Sequence, residues 1–192
     1  MKRNQALLRM VMLAMLVAIG VVISPILRVE GMCPMAHFIN ITCSVLLGPW
    51  YSLLCAAMIG VIRMVFLGIP PLALTGAVFG AALSGIFYRL SRGRIICACA
   101  GETFGTGIIG AIVSYPVMAY LMGRSGLTLF YYVPSFIGGT LIGGAAAFVF
   151  LTALLKTGML KKIQNALGAK VTVYEKLRDK PGAADDGASK AE

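Results

Sequence analysis

The chain has 192 residues, 59% of them hydrophobic and 12% charged, with 17 Lys+Arg against 7 Asp+Glu for a net charge of +10. Soluble domains carry about 25% charged residues, and a chain with half that proportion cannot cover a water-facing surface, so an integral membrane protein remains. The basic excess is the one that membrane proteins place in cytoplasmic loops rather than a nucleic-acid surface. The 5 cysteines show no disulfide-like spacing.

The first apolar run, Leu7–Leu27, is too long for a signal-peptide core. It has no small-residue cleavage site before Pro25, so it is expected to persist as a helix. Ala14 and Ala18 stand one turn apart in a stretch of Leu, Met and Val. They form a face either for packing within the bundle or for docking of a partner. The second run, Pro34–Leu47, is short against the roughly 20 residues a spanning helix needs. Its helix is expected to begin near Gly31 or to cross a thin stretch of membrane. His37, Asn40 and Ser44 follow at i, i+3 and i+7, on one face near the outer end. Polar groups inside a membrane mark functional sites by default, and an amide with an imidazole suits a small heteroaromatic ligand. Hydrogen bonding between helices is the competing reading.

The third run, Tyr51–Leu67, is closed by Gly68-Ile69-Pro70-Pro71 and carries Arg63, about 18 Å from its inner end. Arg63 is a pocket candidate, more as a lid or as the partner of Glu30 than in direct ligand contact. The fourth run is Leu72–Leu90. The fifth, Ile95–Met122, holds Glu102, the one acid in a predicted span. Its placement near the helix N-terminus is favourable on dipole grounds. It is expected to face the Arg89, Arg92 and Arg94 loop, with proton coupling a second reading. Tyr115, between Ser114 and Pro116, is a pocket candidate, whereas Tyr131 and Tyr132 suit an interfacial belt. The sixth run is Tyr132–Leu155.

Glycine and small-residue rows such as Gly76-x3-Gly80-x3-Ser84 and Gly101-x3-Gly105 allow close helix packing. Residues 1–168 are read as a six-helix transmembrane domain and 169–192 as a charged, disordered cytoplasmic tail. With the N-terminus inside, the inner flanks hold Lys2, Arg3, Arg9, Arg89, Arg92, Arg94, Lys156, Lys161 and Lys162. The outer flanks hold only Arg28 and Arg124. This places both termini in the cytoplasm.

The sequence lacks a P-loop, a G-x-S-x-G and an H-E-x-x-H, so neither ATP hydrolysis by the P-loop route nor these enzyme classes apply. His37 is the single histidine, which excludes a polyhistidine metal site. Cys97 and Cys99 are read as small apolar packers. No cofactor or metal is expected, and no nucleic acid.

Four stretches carry a resemblance: Ala14–Pro25; Cys33-Pro-Met-Ala-His-Phe-Ile-Asn40; Leu46-Leu-Gly-Pro-Trp-Tyr51; and Gly101-Glu-Thr-Phe-Gly-Thr-Gly-Ile-Ile-Gly110. With six helices and an Ala-x3-Ala first helix, the chain resembles the substrate-binding S components of energy-coupling factor (ECF) vitamin transporters. More narrowly it resembles the ThiW family, from about Ala6 to Leu155. The resemblance implies a plasma-membrane protein that binds hydroxyethylthiazole, a thiamine precursor, from outside. It implies docking through Ala14 and Ala18 on a transmembrane coupling subunit (the T component), with two cytosolic ATPase subunits driving the cycle. A neutral ligand with one ring nitrogen and one hydroxyl suits His37 and Asn40, and Arg63 keeps a phosphorylated form in play. A different S-component ligand and a self-sufficient proton-coupled carrier are the alternatives.

Overall fold

Apolar runs this long, without period-two alternation, bury their backbone polar groups most simply as helices. The structure, a computed structural model, describes residues 2–26 and 32–169. Among these residues it is all-helical: α1 Lys2–Ile23, α2 Pro34–Leu47, α3 Pro49–Leu67, α4 Leu72–Leu90, α5 Ile95–Leu121, α6 Val133–Lys156 and α7 Met159–Ala166. Five of them, α1 and α3 to α6, are long and apolar enough to cross a membrane. Proline opens α2 and α3 at a position whose N–H would lack a helical partner anyway. Gly68, at φ +60°, ends α3 in the left-handed conformation that favours glycine.

The short second helix has a structural reason. It begins at Pro34 rather than near Gly31, and its 14 residues span only about 21 Å. It touches each of the other six helices, and 12 of its residues are buried. A helix enclosed on all sides has no lipid boundary to match. It turns into α3 through a single residue, Gly48 at φ +90°. Gly85 on α4 packs so tightly on that turn that a methyl group there would lie 2.5 Å from the Pro49 Cα. Trp50 is exposed at the same turn.

α4 and α5 lie backbone to backbone. A methyl group added at Gly101 would lie 2.6 Å from the Leu83 carbonyl oxygen, one at Gly105 2.6 Å from that of Phe79, and one at Gly110 2.7 Å from that of Gly76. An α-helix keeps i, i+4 on one face but turns i+9 well away from it. The wider π-helical turns over Gly105–Gly110 absorb the extra residue and keep Gly110 against α4. A second π-helical stretch, Val117–Leu121, follows Pro116.

α7 is an amphipathic helix that the hydropathy reading passed over. Its Gln164 is fully buried and donates to the Val45 carbonyl at 2.9 Å and to the Tyr88 hydroxyl at 3.0 Å. The Arg9 guanidinium of α1 donates to the carbonyls of Leu167, at 2.6 Å, and Gly168. The start of α1 and the end of α7 therefore meet at one end of the bundle. The expected tail over 170–192, the end of the first run at Leu27, and Arg28 and Glu30 lie outside the described residues.

Candidate functional site

The cavity of interest, about 420 Å³, opens among the ends of helices opposite to the end where Arg9 meets α7. Its walls come from the start of α2 (Cys33, Ala36, His37), Arg63 on α3, Ile69 and Pro70 in the α3–α4 turn, and Leu72, Ala73, Gly76 and Ala77 on α4. Met32, Thr106 and Met118 on α5, Arg124 and Phe136 complete them. Volumes of about 300–1,000 Å³ are usual for small-ligand sites. Most of the lining is apolar. Phe136 packs with Tyr132, Ala111 and Met118 in a small core of its own, and so provides a rigid aromatic wall.

A hydrogen-bonded cluster lies at His37 and Thr106. The Glu102 Oε1 accepts from His37 Nδ1 at 2.9 Å, from Asn40 Nδ2 at 3.0 Å and from Thr106 Oγ1 at 3.2 Å. Glu102 is 0% exposed, and its Oε2 has no partner among the described residues. A buried carboxylate is costly, and three donors on one oxygen offset that cost. Because a carboxylate only accepts, His37 presents its Nδ1–H to it. The other ring nitrogen, Nε2, is the one not committed to Glu102.

Local sequence explains how these groups converge. His37 and Asn40 share a face of α2 at i, i+3, while Glu102 and Thr106 share a face of α5 at i, i+4. Gly80 on α4 leaves the space between them. A methyl group there would lie 2.8 Å from the Glu102 carboxyl carbon and would collide with the Thr106 hydroxyl. On the other side Gly143 of α6 lets the start of α2 approach. A methyl group there would lie 2.9 Å from the His37 Cβ and would run into the Pro34 carbonyl.

The structure distributes the expected site residues unevenly. His37 and Arg63 line the cavity. Asn40 does not; it is buried behind His37 and also reaches toward the Ala77 carbonyl at 3.4 Å. Ser44 is displaced from the site altogether. Its hydroxyl pairs with that of Ser84 at 2.8 Å and donates to the Ile41 carbonyl, tying α2 to α4 on the side away from the cavity. Tyr115 does not line the cavity either; the neighbouring Ser114 turns inward and pairs with Thr75 at 2.7 Å.

Arg63 is 3% exposed, so it does not snorkel into the surroundings, and its Nε–H has no acceptor among the described residues. Its expected partner Glu30 lies outside them. Ala14 and Ala18 are exposed on α1 beside Val11, Met15 and Ile19, so they do not pack inside the bundle.

Glu102 is the main departure from expectation. It does not sit at an inner surface facing the Arg89 loop but pairs with the single histidine in the interior. Thr106, Met118, Arg124 and Phe136 were not anticipated at all. The lone intramembrane acid and lone histidine were the available signal, since each demands a partner in lipid. Among the described residues no group of three or more His, Cys, Asp or Glu could hold a metal ion. The site offers hydrogen bonds, charge and an aromatic wall, which suit binding.

No curated protein and no solved structure is detectably similar to the chain. A family profile does match, described as Thiamine-precursor transporter protein (ThiW), over residues 10–157. That match covers most of the chain, including α2 to α6 and every cavity-lining residue, and on it the protein belongs to the ThiW family of thiamine-precursor transporters.

Proposed function

We propose that this chain is the substrate-binding subunit of an ECF-type importer. In this reading it takes up hydroxyethylthiazole, the thiazole precursor of thiamine, from outside and delivers it through an ATP-driven coupling module. Membership of the family makes it a multi-pass transporter protein of the cell membrane and not an enzyme. The observation that carries the finer reading is the cavity of about 420 Å³ with His37 held by a buried carboxylate. A ring nitrogen fixed in orientation, beside a hydroxyl and an aromatic wall, matches a small heteroaromatic alcohol. His37 Nε2 and the Thr106 hydroxyl face the ligand. Asn40 and Glu102 act behind them by fixing the imidazole, as outer partners do for other functional histidines.

The absence of a P-loop from the sequence fits a subunit that leaves ATP hydrolysis to others. The exposed Ala14–Ala18 face of α1 is the proposed docking surface for the T component, with two cytosolic ATPases completing the complex. Residues 1–168 form the transmembrane domain in this reading, and 169–192 a cytoplasmic tail.

Calorimetric titration of the purified chain with hydroxyethylthiazole tests the binding role. Losing a buried hydrogen-bond partner costs about 1–3 kcal/mol, or roughly 5–150-fold in affinity. His37→Ala is expected to show a loss in that range, and Asn40→Ala a smaller one. Unchanged affinity in well-folded His37→Ala would move the ligand elsewhere. A second reading, a self-sufficient proton-coupled carrier, draws on the buried His37–Glu102 pair. Uptake in cells without coupling subunits would favour it, and dependence on those subunits excludes it.

A further inference from the structure

Among the described residues the cavity's buried acid and its buried arginine do not meet. Glu102 is occupied by His37, Asn40 and Thr106 through one oxygen. Arg63 stands on a different helix, is 3% exposed, and has a buried Nε–H that no described residue accepts. Arg124 brings a second guanidinium to the same lining. A guanidinium is charged at every accessible pH, and holding one in a membrane interior is expensive unless an anion or several acceptors meet it. Snorkelling does not relieve the cost, because the side chain is buried. What Arg63 does face is the cavity.

We propose that Arg63 anchors an anionic group of the ligand. The cavity then takes the thiazole with its hydroxyethyl arm as a phosphate monoester in preference to the free alcohol. This rests on the reading of the cavity as a thiazole site and concerns which form of the ligand enters it. The guanidinium fork matches phosphate oxygens in a bidentate way that a neutral hydroxyl cannot exploit. The cavity of about 420 Å³ lies in the range usual for small-ligand sites and admits either form, so charge and not size decides between them. Arg63 thus gives the phosphate a polar partner separate from the cluster of His37, Thr106 and Glu102.

The test is calorimetric titration of the full chain with three probes: hydroxyethylthiazole, its phosphate ester and inorganic phosphate. The native protein is expected to bind the ester about 10–150-fold more tightly than the alcohol, the range for a charged hydrogen bond. Arg63→Gln is expected to abolish the preference, so that this variant binds the ester and the alcohol with equal affinity. Native protein that binds the alcohol as tightly as the ester overturns the proposal while the thiazole reading stands, and this comparison needs no variant to fold. An Arg63→Gln protein with the ester preference intact also overturns it. Inorganic phosphate binding as tightly as the ester would replace it with a free-anion site. Failure of both thiazoles to bind removes the thiazole reading and the proposal together.

Discussion

Gly80 is the residue on which the arrangement at His37 depends most directly. It has no side chain where Glu102 and Thr106 meet, and those two groups fill the space a methyl group would take. Adding bulk to a packed interior costs about 1–3 kcal/mol. Gly80→Ala is therefore expected to lower the thermal midpoint and, by pushing the Glu102 carboxylate off His37, to weaken thiazole binding as well. A thermal melt and a titration on the same sample check this. A lowered midpoint with native affinity would mean that the Glu102 contact is structural only. The two readouts separate because Gly80 itself does not line the cavity.

At the scale of helices, α4 runs over Leu72–Leu90 as hydropathy indicates, whereas α2 keeps to its short apolar run, Pro34–Leu47, without the extension toward Gly31 that a spanning helix would need. What hydropathy could not convey was depth. His37 stands near the first residue of a helix, which suggests the outer surface if that helix spans the membrane. Because α2 extends only about 21 Å and is enclosed, its start lies in the interior, within reach of a glutamate only seven positions into α5. The π-helical turns of α5 were equally hidden, since they follow from glycine contacts with α4 that are made only in the assembled bundle. α7 escaped notice because eight residues, MLKKIQNA, are too few and too polar for a spanning signal. On α1 both expectations for Ala14 and Ala18 could be posed but not resolved from sequence, as burial decides between them. The structure leaves both exposed. Ala14→Trp and Ala18→Trp are accordingly expected to keep near-native thiazole binding while losing co-purification with the coupling subunit and ATP-dependent uptake. Complex formation at native yield in both variants would remove the docking role. Small residues matter there because lipid tails compete equally well for larger apolar side chains.

For the whole molecule, the cavity and the cationic end are separate. His37, Arg63 and Phe136 gather at one end. Arg9 with the end of α7, and Arg89 beside the α2–α3 turn, gather at the other. Placing the cationic end inside, as the loop charge bias proposes, turns the cavity outward, as the proposed uptake requires. A reporter active only outside the cell is expected to be silent when fused after Arg92 and active when fused after Arg124. The opposite pattern would invert the orientation and turn the cavity toward the cytoplasm.

The enclosure of α2 also bears on how the protein is made. A helix of 14 residues is too short to hold itself across about 30 Å of hydrocarbon, and it has no lipid-facing side by which to be retained. Its place in the bundle depends on helices synthesised after it: α3, α4, α5 and α6 all pack against it. The expected order is that α1 crosses first and α2 enters only with α3, to which it is joined through the one-residue turn at Gly48. The same outside-active reporter joined directly after Leu47 should thus remain outside and active, although in the finished protein that position lies at the cytoplasmic end. A silent fusion there would show that α2 crosses unaided. On that order, Glu102 reaches His37 only when the later helices close around α2.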